Sequence, residues 1–165
     1  MKKIILSMLL LLPLGLMAQV QKIAHVNYNE IINVMPELAN YENEMSKLQL
    51  AFQQQMKAYE DEYTRKMTDY TSQADSLTEN IKVLRMQEIQ QIQERSENYY
   101  QVAQEDMQKK SEELQAPMRD KILKAIASVC EEDGYTYILN PQAIIHIGSN
   151  AIDITDKVKA KMGLK

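Results

Sequence analysis

Histidine, cysteine and carboxylate side chains are where chemistry is sought first. The sequence holds two histidines, one cysteine and 23 acidic residues. A metal site needs several such groups at ligand spacing. His25 lies in Ile23-Ala24-His25-Val26 and His146 in Ala143-Ile144-Ile145-His146-Ile147. Both stretches have the β-branched content of strands, and neither histidine has a Cys, Asp or Glu at a ligand spacing. Both are expected to be sheet residues. General acid–base work needs a converging, desolvated pair of groups, whereas these carboxylates are spread along polar helical sequence as a solvated face. No Gly-rich phosphate loop and no nucleophile elbow is present. Cys130 follows Ile126-Ala127-Ser128-Val129 and reads as a small apolar helix residue; a lone cysteine closes no internal disulfide. The expectation is a protein that is not an enzyme, with no catalytic residue, metal ligand or cofactor.

What remains is a soft apolar surface. Tyr41, Met45, Phe52, Met56, Tyr59, Tyr63, Met67, Tyr70, Met86, Tyr99, Tyr100 and Met107 fall in one long stretch. Methionine is unbranched and adaptable, and tyrosine joins apolar area to a wet end. Some of these must pack helix on helix. A seam built for stability alone favours Leu and Ile, so the remainder are candidates for weak contact with many clients.

The element carrying them is helical. Glu37 to Ala116 contains no Gly and no Pro in 80 residues and is rich in good helix formers. Apolar residues from Leu38 to Leu77 step by threes and fours, with doubled fours between Leu48 and Tyr70. That makes an eleven-residue repeat, which removes the usual left-handed supercoil of a heptad. Thr71, Ser72, Asp75, Ser76 and Thr78 mark a turn near 72–80, where Ser76-x-x-Glu79 has the form of a capping box. Arms over 37–75 and 79–117 are then equal, each about 58 Å long at ~1.5 Å per residue. The returning arm carries Ile81, Leu84, Ile89, Ile92, Tyr99, Val102, Ala103, Met107 and Leu114, a stripe thinned by Ser96 and Ser111.

Around this hairpin, residues 20–36 and 118–165 form a head. Strands are expected at Ile23–Val26, Tyr135–Leu139 and Ala143–Ile147, with Gly134 ending the preceding helix and a short terminal helix after Asp153. The fold class is α+β, mostly α. About 65 residues make a marginal core, so copies are expected to join through the head. Ile23, Val26, Ile138, Leu139, Ile145 and Ile147 are the candidate subunit contacts.

The compartment is written in residues 1–18. Lys2-Lys3, an apolar run from Ile4 to Met17 and Ala18 before Gln19 make a secretory signal, cleaved near Ala18/Gln19. The run is too short to span ~30 Å of hydrocarbon. Without it the chain carries 17 basic and 23 acidic side chains, a net charge of −6. No nucleic-acid binding is expected from an acidic chain that lacks a basic stripe.

In their order along the chain, Lys22-Ile23-Ala24-His25-Val26-Asn27, the Pro36-Glu37 pair, Pro117 to Ile122, Gly134 to Leu139 and Ala151-Ile152-Asp153-Ile154-Thr155-Asp156-Lys157-Val158 resemble the Skp/OmpH family of periplasmic chaperones. The resemblance implies a homotrimer whose strands close a central β-barrel, with three hairpin tentacles around a cavity. It implies ATP-independent holding of unfolded outer-membrane β-barrel proteins in the periplasm. One departure stands out: the best-known members are basic, whereas residues 37–117 carry 9 basic and 16 acidic side chains, a net of −7. That charge argues against contact with anionic lipid or lipopolysaccharide, and like charges on three arms favour an open cavity at low salt.

Two functions fit these residues. One is a holdase for unfolded outer-membrane proteins. The other is a structural or adaptor coiled coil of the cell envelope that binds one folded partner.

Overall fold

The computed structural model describes residues 21–164. The expected signal segment lies outside the described residues.

Strand β1 (Ile23–His25) leads into helix α1 (Tyr28–Asn33), then α2 (Pro36–Gln73). A 3-10 turn at Ala74–Ser76 reverses the chain into α3 (Glu79–Asp133), which runs back to the head. Strands β2 (Tyr137–Leu139) and β3 (Ile152–Asp153) and helix α4 (Thr155–Lys161) complete it. Chain composition explains the two long helices. Pro36 opens α2 at its first turn, where its missing N–H is not needed. Gly134 closes α3 at φ 68°, a left-handed conformation that glycine adopts without Cβ strain, and the N–H of Tyr135 bonds the carbonyl of Cys130 at 3.0 Å.

The turn differs from its expected chemistry. No capping box forms: the Ser76 hydroxyl donates to the carbonyl of Gln73 at 2.8 Å, and Thr78 occupies the N-cap of α3 without a side-chain bond. Ser76 sits two residues before that N-cap, inside the 3-10 turn, so its hydroxyl closes that turn instead of starting α3.

At ~1.5 Å per residue α2 spans about 57 Å and α3 about 82 Å. The excess length of α3 is the spine of the head. It passes Pro117 without a break, and the residues beyond it, Met118, Ile122, Ala125 and Val129, face the core at steps of four, three and four. They pack with Ala24, Val26, Ile31, Met35, Ile154 and Val158. Each large apolar side chain buried there contributes roughly 1.5–3 kcal/mol.

The sheet is parallel throughout, in the order β2-β1-β3. Ala24 pairs with Ile138 and Ile152, and His25 with Leu139 and Asp153. The third strand is therefore Ile152–Asp153. The stretch expected to be a strand, Ala143–Ile147, is not one: Pro141–Ala143 forms a 3-10 turn capped by the Asn140 side chain, and Ile144–Ile147 crosses the outer side of the sheet unpaired. β-branched content alone does not make a strand here: Ile152–Asp153 takes the second side of β1, and Ile144–Ile147 pairs with neither outer edge of the sheet in its own chain. His146 accordingly lies outside any strand, while His25 keeps its place in β1.

Candidate functional site: the hairpin surface

The hairpin is joined along its length but filled thinly. Among the described residues no α2 side chain is fully buried, and within the arm part of α3 only Ile89 and Ile92 are. Near the head, Tyr41 finds a polar partner: its hydroxyl lies 3.1 Å from the Ser111 hydroxyl and accepts from the Gln115 amide at 3.1 Å. Ser111, a gap in the apolar stripe by sequence, is thus the place where a tyrosine tip is satisfied. Farther out, Phe52 stacks on Tyr99 (centroids 6.1 Å apart, planes 15°) and meets Tyr100 at 5.7 Å, while Tyr59 meets Tyr99 at 5.9 Å. Such pairs are worth ~0.5–1.5 kcal/mol each beyond area burial.

The two flanks of the seam differ. One is bridged by charge: Arg95 reaches Glu62 at 3.2 Å and Lys66 reaches Glu88 at 2.8 Å, helix to helix. Hydrogen bonding from Lys66 holds the Glu88 carboxyl below the usual range. The other flank is open, with three successive grooves of about 580, 570 and 690 Å3 from head to turn. Met45 and Met107 line the first; Phe52, Met56, Tyr59, Tyr63 and Ile92 the second; Tyr63, Met67, Tyr70 and Met86 the third. The last two grooves share Tyr63 and Gln93 and so run together. Ser96 lines the middle groove, and its small side chain leaves that volume open.

The structure therefore brings nine of the twelve soft residues to one flank. Tyr41, Tyr99 and Tyr100 are placed otherwise, in the hydroxyl network and the aromatic cluster. Ile81, Leu84 and Val102, expected on the seam, stand 39%, 54% and 46% exposed. The glutamines that wall the open flank carry no signal in apolar spacing. Gln101, Gln104 and Gln108 recur at steps of three and four, a helical stripe visible in the sequence once amides are counted.

In the head, Val26 is buried in the core of its own chain and Ile138 packs against that core. Ile23, Leu139 and Ile147 are about 40–46% exposed and Ile145 fully so. Tyr137 and Ile152, absent from the sequence expectation, are exposed beside them. Together Ile23, His25, Leu139, His146, Ile147 and Ile152 line a 150 Å3 cleft on the outer side of the sheet. Cys130 is half-buried, with its Sγ 3.1 Å from the carbonyl oxygen of Tyr135. No cluster of three or more His, Cys, Asp or Glu among the described residues could hold a metal, and no helix there is long and apolar enough to cross a membrane.

Against known proteins, the family described as outer membrane protein (OmpH-like) matches residues 22–162. An OmpH-like protein from Caulobacter crescentus, described as a candidate outer membrane chaperone, has a crystal structure that aligns with a TM-score of 0.70. The alignment covers 87% of this chain and 84% of that one at 10% identity, a likeness of fold. No curated protein matches the sequence.

Proposed function

Because the chain belongs to the OmpH-like outer membrane protein family, we propose that it is an ATP-independent holdase that keeps unfolded outer-membrane β-barrel proteins from aggregating. The observation that supports this most is the open, Met- and Tyr-lined flank of a hairpin whose outgoing helix buries no side chain fully. A stable structural coiled coil fills its seam; this one leaves adaptable apolar surface in water. Residues 37–117 act as the client-binding arm and residues 20–36 and 118–165 as the assembly head. Export through a signal cleaved near Ala18 places the protein in the periplasm, where ATP is not the energy source for such holding.

Three copies are proposed to assemble through the head. The outer face of the sheet presents Ile23, Tyr137, Leu139 and Ile152, with Ile145 and Ile147 beside it. Strands β2 and β3 each have a free edge in the single chain. Subunit contact covers this apolar area and gives the unpaired Ile144–Ile147 segment a strand partner. Three arms of net charge −7 then enclose a cavity.

The test is dilution of a urea-unfolded outer-membrane β-barrel protein into buffer with the signal-free chain and no nucleotide. Suppressed aggregation at near one trimer per client is expected. Aggregation at the unassisted rate overturns the reading, and capture of one folded envelope partner in native pull-downs, in place of a spread of β-barrel proteins, favours the adaptor instead. A solution mass of one chain overturns the trimer.

A further inference from the structure

The open flank has a chemistry more particular than softness. Its three grooves follow one row on α2, from Met45 through Met56 and Tyr63 to Tyr70, and one face of α3, from Ser111 through Gln101 and Gln93 to Val83. None of the four residues bridging the other flank, Glu62, Lys66, Glu88 and Arg95, lines any of them. Met45 to Tyr70 spans about 37 Å at ~1.5 Å per residue, the length of roughly eleven residues of extended chain at ~3.3 Å each.

The walls are amide-rich. Gln49, Gln53, Gln87, Gln93, Gln101 and Gln104 line the furrow, are exposed, and make no side-chain hydrogen bond among the described residues. A groove between two helices has no free backbone groups to offer, because the helices use their own. Peptide groups entering such a groove can be satisfied only by side chains or water. Glutamine is the neutral side chain that both donates and accepts, with two N–H groups and a carbonyl.

The charge is one-sided. Lys57 and Lys82 border the furrow, but Lys57 pairs with Asp61 at 3.5 Å and Lys82 with Glu79 at 2.7 Å. Glu60, Glu97 and Glu105 line it too, and none has a basic partner within 4.0 Å among the described residues. Its uncompensated charge is negative in the middle and head-ward grooves.

We propose that this flank is a docking furrow for an extended, unfolded segment of about ten residues that carries Lys or Arg among apolar side chains. The apolar side chains enter the Met and Tyr floor, the peptide groups bond the glutamine amides, and the basic side chains pair with Glu60, Glu97 and Glu105. A folded helix suits the site poorly: it brings no free backbone groups and leaves the amides unused. This inference rests on the holdase reading and narrows it to one face and one class of segment.

The experiment uses the signal-free full chain and two fluorescent twelve-residue probes that alternate Val or Tyr with Lys, or with Glu. Binding is compared with that of the variant E60Q/E97Q/E105Q. The lysine probe is expected to bind the unaltered chain tighter, and to lose about tenfold in the variant at low salt and little at high salt. N-methylation of alternate probe amides is expected to weaken binding severalfold. A photo-cross-linker placed at Gln53 or Gln101 should capture an unfolded β-barrel protein, and one at Leu84 or Val102 should not. Equal affinity for both probes, an N-methylated probe bound as well, or capture mainly at Leu84 and Val102 overturns the furrow. Aggregation suppression measured alongside separates the two ideas. If the chain holds clients while these results go the wrong way, the furrow alone fails; if it holds none, the holdase reading fails first.

Discussion

The backbone N–H of Asn27 donates to the hydroxyl of Thr155 at 2.9 Å, across 128 residues of chain. The same Thr155 donates from its hydroxyl and its own N–H to the carboxylate of Asp153, at 2.5 and 2.8 Å. Asn27 in turn caps α1 by accepting from the N–H of Glu30 at 3.2 Å. One buried threonine thus ties the first strand and helix to the last, and closes the head around the root of the hairpin. Thr155→Val keeps the shape and removes both bonds. Leaving a part-buried N–H unsatisfied costs about 1–3 kcal/mol. The expected outcome is a lower denaturant midpoint with an unchanged slope; an unchanged midpoint would show that the tie carries no stability.

Asp153 gives the head a specific acid sensitivity. Burial disfavours its charge, but the bonds from the Thr155 hydroxyl and amide, helped by His25, outweigh that and hold its carboxyl below the usual range. A lowered folded value means that the unfolded chain binds the proton more readily. The stabilisation is complete above the ordinary carboxylate pKa of ~3.9 and is lost as pH falls through the lower folded value. Asp153→Asn should therefore flatten the fall of the unfolding midpoint below about pH 5, with little change in its slope near neutrality. Denaturant titrations at several pH values between neutral and strongly acidic check this, and an unaltered acid dependence refutes it.

Gly134 isolates a backbone effect. It sits at φ 68°, and a Cβ added there meets nothing within 4 Å. Gly134→Ala therefore carries conformational strain without a clash, at a cost of about 1–2 kcal/mol. The Tm of the head should fall while far-ultraviolet helicity at low temperature stays the same. A Tm at or above that of the parent chain would mean that α3 ends differently in solution.

What the sequence revealed follows from how local each signal is. The helices are legible because 80 residues without Gly or Pro leave the chain few alternatives, and the reversal is legible because Thr71 to Thr78 offers competing side-chain bonds. The Asp-Ile-Thr stretch was recognisable as a pattern, while its tie to Asn27 depends on residues at the other end of the chain. The third strand differs from its expected position for the same reason. Ile144-Ile145-His146-Ile147 has stronger β propensity than Ile152-Asp153, yet β3 wins because Thr155 and Ile154 anchor it beside His25, with the N–H of Ile154 bonding the His25 carbonyl at 3.0 Å. On the arms, period-based reading found the soft residues but not which flank they share. That depends on how the two helices rotate against each other, an arrangement that leaves the Glu62–Arg95 and Lys66–Glu88 bridges on the opposite flank.

Ser96 offers a direct test of whether thin packing is functional. It lies half-buried in the middle groove with Phe52, Met56, Tyr59 and Ile92, and leucine fits helical backbone better than serine. Ser96→Leu fills part of a 570 Å3 opening with apolar volume between the helices. Burying that side chain even in part should raise arm stability by about 1 kcal/mol. If the opening exists to hold clients, the same change should lower the amount of unfolded β-barrel protein kept soluble at a fixed chain concentration. Stability and holding would then move in opposite directions, as expected where a protein keeps surface open for use. Thermal unfolding and light scattering on the same preparation read both quantities. A variant that is more stable and holds clients equally well would show that the middle groove is incidental, and would shift attention to the exposed side chains of Leu84 and Val102.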